Sequence, residues 1–379
     1  MSQKLHNLLK TALVLSEQFQ TTLDTTPPAS QNATTADGQQ QQQPPTADPL
    51  NILSNSAKSL RAQVTKLSLL AITAPFTPSA ISTCLASVND SVMPSMVTAA
   101  LLLTPSEYTK AFSTEARILV KTGLKEFAVL IQEITNVAHE LDPSFPPKNG
   151  EQANGETKKK ELSKQDKDVL TSQTGRVWDV CDTITTLVSQ GVVGHVAKRV
   201  QQWHDLVKDA ISELEEWDPE DEDDGGFEEL MGSDDDDDDS DTENEDEDDD
   251  GKNAEALQTQ KKSLLRALKP IAQIYPAIIS NRVKKGGFMA HTSQQIVKLE
   301  SLTSHLQSIP DHVDEAAGSL YEHNLDDCVK YLKLAKTTAE KAIDLVVLPW
   351  GEQQPEDKFT VWSRTWRKVM GDVISDVQK

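Results

Sequence analysis

The feature that most constrains this chain is a run of acid. Between Asp218 and Asp250, 22 of 33 residues are Asp or Glu and none is Lys or Arg. Carboxylates at that density repel one another, and only Phe227, Leu230 and Met231 offer apolar surface to set against the entropy of ordering. The sequence therefore predicts two separately folded parts, residues 1–217 and 255–379, joined by a disordered acidic linker over 218–254. Of the net charge of −23, this run carries −22, which leaves −1 for the rest. The folded parts are near neutral, and the basic groove that would grip nucleic acid through its phosphates is not in view.

The periodicity outside the acidic run is helical. Leu5, Leu8, Leu9, Ala12, Leu15, Phe19 and Leu23 form one stripe. Val177, Cys181, Ile184 and Val188 form a second. Val196, Val200, Trp203, Val207, Ala210, Leu214 and Trp217 follow alternating steps of four and three, a seam that packs one helix against neighbours. Gly191 and Gly194 fall between these last two stripes, which predicts an antiparallel helical hairpin inside the first bundle. Beyond the acidic run, helices resume near Glu255, and Pro270 and Pro276 break or start them. Leu325, Val329, Leu332, Ala335, Ala339, Ala342 and Val346 line a long helix. Phe359, Trp362, Trp366, Val369, Val373 and Val377 line the final one. No stretch alternates with period two, so the fold class is all-α.

Two further segments lack the apolar content to order themselves and are expected to be disordered insertions in the first bundle. Residues 24–48 are rich in Thr, Pro and Ala and contain the five glutamines from Gln39 to Gln43. Residues 142–163 carry Pro143, Pro146, Pro147, Gly150 and the lysines from Lys158 to Lys160. Pro105 behind Thr104 reads as a first-turn proline behind a cap.

No catalytic constellation assembles. The eight histidines are scattered, and the nine-residue gap between His195 and His204 does not set them as metal ligands on one helix face. Cys84, Cys181 and Cys328 are far apart and odd in number, which fits neither a disulfide scaffold nor a zinc site. Nucleophile-elbow, zinc-protease, phosphate-loop and dinucleotide signatures are missing. The GVVG of Gly191–Gly194 resembles a KH-type loop only superficially, since that fold needs strands. The expectation is a protein that is not an enzyme and takes no metal or cofactor. No run of 18 apolar residues offers a membrane span. Lys4, Lys10 and Glu17 interrupt the opening helix in a way a secretory leader does not. The expected address is the cytoplasm and nucleus.

What remains is interaction chemistry. Trp203 and Trp217 on the seam, and Trp362 and Trp366 on the last helix, read first as core; part of that aromatic surface is the candidate anchor for a partner helix. Arg364, Arg367 and Lys368 beside the terminal tryptophans read as a solvated basic face, with membrane-surface binding as the alternative. The acidic run serves as spacer and solubiliser or as a capture site for a basic partner such as a histone tail. Ser233, Ser240 and Thr242 each stand before acidic residues, the context an acidophilic kinase prefers, and phosphorylation would add about −1.5 to −2 charges at each.

The order of several blocks resembles the cyclin-D-binding family, the adaptor and cyclin-D interacting proteins. These blocks are TGRVWDVCDTITTL (Thr174 to Leu187), VKDAISELEEW (Val207 to Trp217), the acidic run, IPDHVDEAAGSLYE (Ile309 to Glu322) and YLKLAKTTAEKAIDLV. The resemblance implies an all-helical regulator of cell-cycle progression that binds D-type cyclins and signalling adaptors. It also implies a helix–loop–helix-like element, here Val177 to Trp217, with no basic block ahead of it to enter a DNA groove. The alternative function, from another class, is an acidic chaperone that shields basic proteins.

Overall fold

The computed structural model describes residues 2–25, 48–142, 144–145, 161–219, 247–285, 292–350 and 356–377. Among them the fold is all-α, with no strand. The chain forms two compact units, Met1–Gly191 and Val192–Lys379.

The first unit holds α1 (Ser2–Asp24), α2 (Pro49–Ile72), α3 (Pro78–Ser87), α4 (Met93–Leu102), the single turn α5 (Pro105–Tyr108), α6 (Lys110–Leu141) and the N-terminal part of α7 (Lys164–Glu216). Prolines open α2, α3 and α5, where a missing amide hydrogen costs nothing. Asp48 caps α2 by accepting from the Leu50 amide at 3.0 Å, and Thr109 caps α6 through the Phe112 amide. Between α3 and α4 the helix widens into a π turn, Val88–Val92, and Pro94 stands in the first turn of α4.

The α1 stripe is buried through Leu5, Leu9, Ala12 and Leu23, with Ser16 at the position between them. It packs on α6, whose Phe112, Val120, Leu124, Phe127 and Ile131 are fully buried. The pairs Ser68–Thr174, Thr65–Trp178 and Arg61–Asp182 rise along α2 as they fall along α7, so these two segments run antiparallel. α6 closes the same layer: a Cβ added to Gly123 would stand 3.4 Å from Val180, and Gln173 Nε2 donates to the Glu126 carbonyl at 2.9 Å.

In the second unit, the C-terminal part of α7 packs with α8 (Glu247–Ile278), α9 (Ser293–Tyr321), α10 (Leu325–Leu345) and α11 (Lys358–Val377). α9 and α10 pack along their lengths, joined by a tight turn in which Asn324 caps α10 through the Asp327 amide. The buried face of α10 is Cys328, Leu332, Ala335, Ala339 and Ala342, close to the expected stripe. Lys261 donates to the carbonyls of Glu215 and Trp217, and His204 stacks on Tyr275 with ring centroids 5.7 Å apart, which ties the end of α7 to α8.

Three expectations change. The seam from Val196 to Trp217 does pack inside a bundle, but in the second unit and not in a first bundle of residues 1–217. The expected break falls at Gly191, where two helical segments of α7 meet at a kink (φ 60°, ψ −171°), and the two segments fall in different units. Pro270 and Pro276 lie inside α8, and Pro310 inside α9. Each removes one intrahelical donor, yet the helix holds because Leu264, Leu268, Ile271, Tyr275 and Ile278 are fully buried around them.

Finally, α8 begins at Glu247, eight residues before the expected border, so the last acidic residues have helical backbone. Residues 220–246, the bulk of the expected acidic linker, lie outside the described residues, as do 26–47 and 146–160 of the expected insertions. The borders of the second insertion are built into the core. Phe145 is buried between His6 and His139, with edge-on ring contacts at 5.3 and 4.8 Å, and Leu162 is buried.

Candidate interaction surface

The seam on the C-terminal part of α7 divides into a buried side and an exposed edge. Val200, Val207 and Leu214 are fully buried, and Val196 and Ala210 nearly so. Trp203 is only half-buried. The Arg199 guanidinium stands 5.8 Å from its ring centroid, and Leu206, one turn on, is 52% exposed. Arg199, Trp203 and Leu206 are spaced i, i+4, i+7, so they share one face of the helix. The adjacent His204 is fixed by its stack on Tyr275, and its pKa is lowered by burial, which favours the neutral ring. The result is a rigid helix presenting an amphipathic aromatic, an aliphatic side chain and a cation along one edge. Such a stripe fits the groove or helix of a protein partner.

The other tryptophans have different settings. Trp217 is half-buried and meets Tyr321 edge-on at 4.9 Å, a contact that fixes the end of α7. Trp362 is half-buried beside Phe359, with centroids 5.3 Å apart. Trp366 takes the core reading: it is 4% exposed, and its indole donates to the Pro270 carbonyl at 2.8 Å, so of the two readings the partner anchor does not apply to it.

Two features escaped the sequence reading. Leu206 lies off the seam between Asp205 and Val207, and a lone Leu out of register with its stripe was the available signal. Trp178 on α7 is half-buried in the first unit, where Arg61 stands 5.0 Å from its ring centroid and its indole donates to Thr65 at 3.1 Å. Ser233, Ser240 and Thr242 lie outside the described residues.

Among the described residues, no group of three or more His, Cys, Asp or Glu is placed to hold a metal ion. No described helix is long and apolar enough to cross a membrane. The thiol of Cys181 is pushed up to about 12 by burial, the reverse of what a nucleophile needs.

These observations define an all-α protein of two helical units whose exposed apolar side chains stand on helix faces. Residues 52–220 match the family described as Grap2 and cyclin-D-interacting, N-terminal. The match runs from within α2 to just past α7, so it includes Trp178, Trp203 and Leu206 and leaves out α8–α11. No curated protein matches the chain.

Proposed function

We propose that the protein is a non-catalytic regulator that binds a D-type cyclin or a signalling adaptor through the Arg199–Trp203–Leu206 edge of α7, and so modulates cell-cycle progression. The observation that carries this reading is that half-buried Trp203 and exposed Leu206 share one helix face inside the segment that matches the cyclin-D-interacting family. Aromatic and arginine side chains dominate binding energy at protein interfaces, and a helix held by its opposite face loses little entropy on association.

The test is binding of purified full-length chain to an immobilised D-type cyclin. Leu206→Glu places a charge on an exposed position and leaves the core alone; it is expected to weaken binding at least tenfold with an unchanged melting midpoint. Binding at wild-type affinity by this variant removes the proposed surface.

The acidic run favours a second reading, an acidic chaperone for basic proteins, because 22 carboxylates without a cation form a strong local field. Deleting residues 218–250 separates the two. The chaperone reading requires loss of histone binding, and the first reading requires retained cyclin binding.

A further inference from the structure

Lys298 lies in the second turn of α9, beyond residues 52–220, and the proposed function makes no use of it. Its Nζ stands 5.0 Å from the centroid of the Trp350 ring. That tryptophan is held at two points. Its indole donates to the Arg282 carbonyl at 2.7 Å, and Gln295 Nε2 donates to its own carbonyl at 3.3 Å. Trp350 is 7% exposed, so the half-buried lysine stem lies against a fixed aromatic wall.

No carboxylate answers the charge of Lys298. Among the described residues it makes no ion pair and no hydrogen bond. The helix positions that could reach it, three and four residues away, are Gln294, Gln295, Ser301 and Leu302. Glu300, two residues on, is turned about 160° away round the helix. Asp357 is taken by Arg282. The charge that bears on Lys298 is of its own sign, the fully buried Arg282 guanidinium. Burial of the ammonium, and then this second cation, lower the Lys298 pKa from the ordinary lysine value. The Trp350 ring attracts the cation, but one ring returns less than the water shell it displaces.

We propose that Lys298 is an acylation site, a lysine whose free amine takes an acyl group from a small thioester without the help of a second protein. An arginine keeps its proton at any working pH, so relief of the repulsion falls on the lysine. Desolvation and a neighbouring cation both make a lysine amine nucleophilic. The ammonium loses one proton to water, and the nitrogen lone pair attacks the thioester carbonyl carbon. The tetrahedral adduct expels the thiolate, which takes the second proton from nitrogen. The products are an amide and a thiol, with no change of oxidation state. The amide keeps the stem against Trp350 and removes the repulsion with Arg282, so the fold tolerates the change.

The test incubates the full-length chain with acetyl-coenzyme A and follows each lysine by peptide mass spectrometry. Lys333 and Lys341, exposed on α10 in the same unit, serve as references. At neutral pH Lys298 is expected to be acetylated at least fivefold faster than either. The excess should shrink as pH approaches the ordinary lysine value of about 10.4. In denaturant the three rates should be equal. Gln294→Glu changes an exposed side chain to one of the same shape and puts a carboxylate four residues ahead of Lys298, the favourable order for a helical ion pair. It should slow Lys298 at least threefold and leave Lys333, Lys341 and the melting midpoint unmoved. A native Lys298 rate equal to or below the references overturns the proposal, whether the amine stays charged or the thioester fails to reach it. An excess that persists in denaturant also overturns it, because it would then belong to the local sequence and not to the site.

Discussion

Arg282 and Asp357 form a two-pronged ion pair in the second unit: Nη1 donates to Oδ2 at 2.8 Å and Nη2 to Oδ1 at 2.9 Å. The guanidinium is fully buried and uses its other donors on the carbonyls of Asn281, Val346 and Val347, the last two at the end of α10. Trp350 closes the arrangement by donating to the Arg282 carbonyl at 2.7 Å, and the Phe359 ring lies 4.3 Å from the guanidinium. One side chain from the π turn Ile279–Val283, just beyond α8, thus holds the end of α10 and the start of α11 together.

Breaking that pair should destabilise the second unit. Asp357→Asn leaves a buried cation with neutral acceptors only. Removing one partner of a fully buried pair costs about 3–5 kcal/mol, but Asp357 is 38% exposed and the carbonyls remain, so about 2–3 kcal/mol is expected. Chemical denaturation of the full chain, with hydrogen exchange resolved on α8–α11, measures it.

The same pair gives an acid limb. Hydrogen bonding from Arg282 holds the Asp357 carboxyl well below the usual carboxylate range. A group depressed in the folded state contributes stability above its unfolded value, about 3.9, and loses it as pH falls through the folded one. The contribution should be constant from neutrality down to about pH 4 and decline below that. In Asp357→Asn this part of the acid slope should vanish.

Gly191 and Gly175 predict opposite responses to alanine. A Cβ at either meets nothing within 4 Å, so crowding decides neither. Gly191 has φ 60° and ψ −171°, a region open almost only to glycine, and Gly191→Ala should cost about 1–3 kcal/mol. Gly175 is helical, and Gly175→Ala should stabilise by up to about 1 kcal/mol. Thermal midpoints moving the same way in both variants would contradict the assigned backbone.

The helices and most of their buried faces were legible because burial imposes a 3.6-residue period on the sequence. The α1, α7 and α10 stripes are cases in point. The partner of a stripe is not encoded locally: the seam from Val196 to Trp217 says that it packs, and nothing in it says that it packs on α8. Gly191 reads as a turn glycine, and its backbone (φ 60°, ψ −171°) does break the helix there into two segments. Pro270 and Pro276 read as breakers because their cost is local and the burial that offsets it is not. The exposed edge at Trp203 was half legible: the tryptophan stood out, but its exposure and its neighbour Leu206 depend on which helices cover the rest of α7.

The three cysteines should separate by reactivity. Cys181 and Cys328 are buried and their thiols are pushed up by desolvation, Cys181 to about 12. Cys84 is half-buried, donates to Gln63 at 3.2 Å, and is raised by burial. With an aromatic disulfide reagent at pH 8, one thiol should react in the native protein, more slowly than a free cysteine. All three should react in denaturant. Cys84→Ser should remove the native reaction and leave two equivalents in denaturant.

Trp203→Ala tests the reassignment of the α7 seam. A fully buried tryptophan replaced by alanine costs about 3–5 kcal/mol, but this ring is half-buried and one face meets Arg199, so about 1–2 kcal/mol is expected. The location of the loss matters more than its size. Residues 192–216 pack in the unit that contains α8–α11. Amide protection should therefore fall about 5- to 30-fold in those helices, while α2 and α6 keep theirs. A bundle of residues 1–217 would require the reverse, with α2 and α6 losing protection and α9 and α10 unmoved. Leu206→Glu serves as the control, because a charge at an exposed position should leave protection in both units where it was.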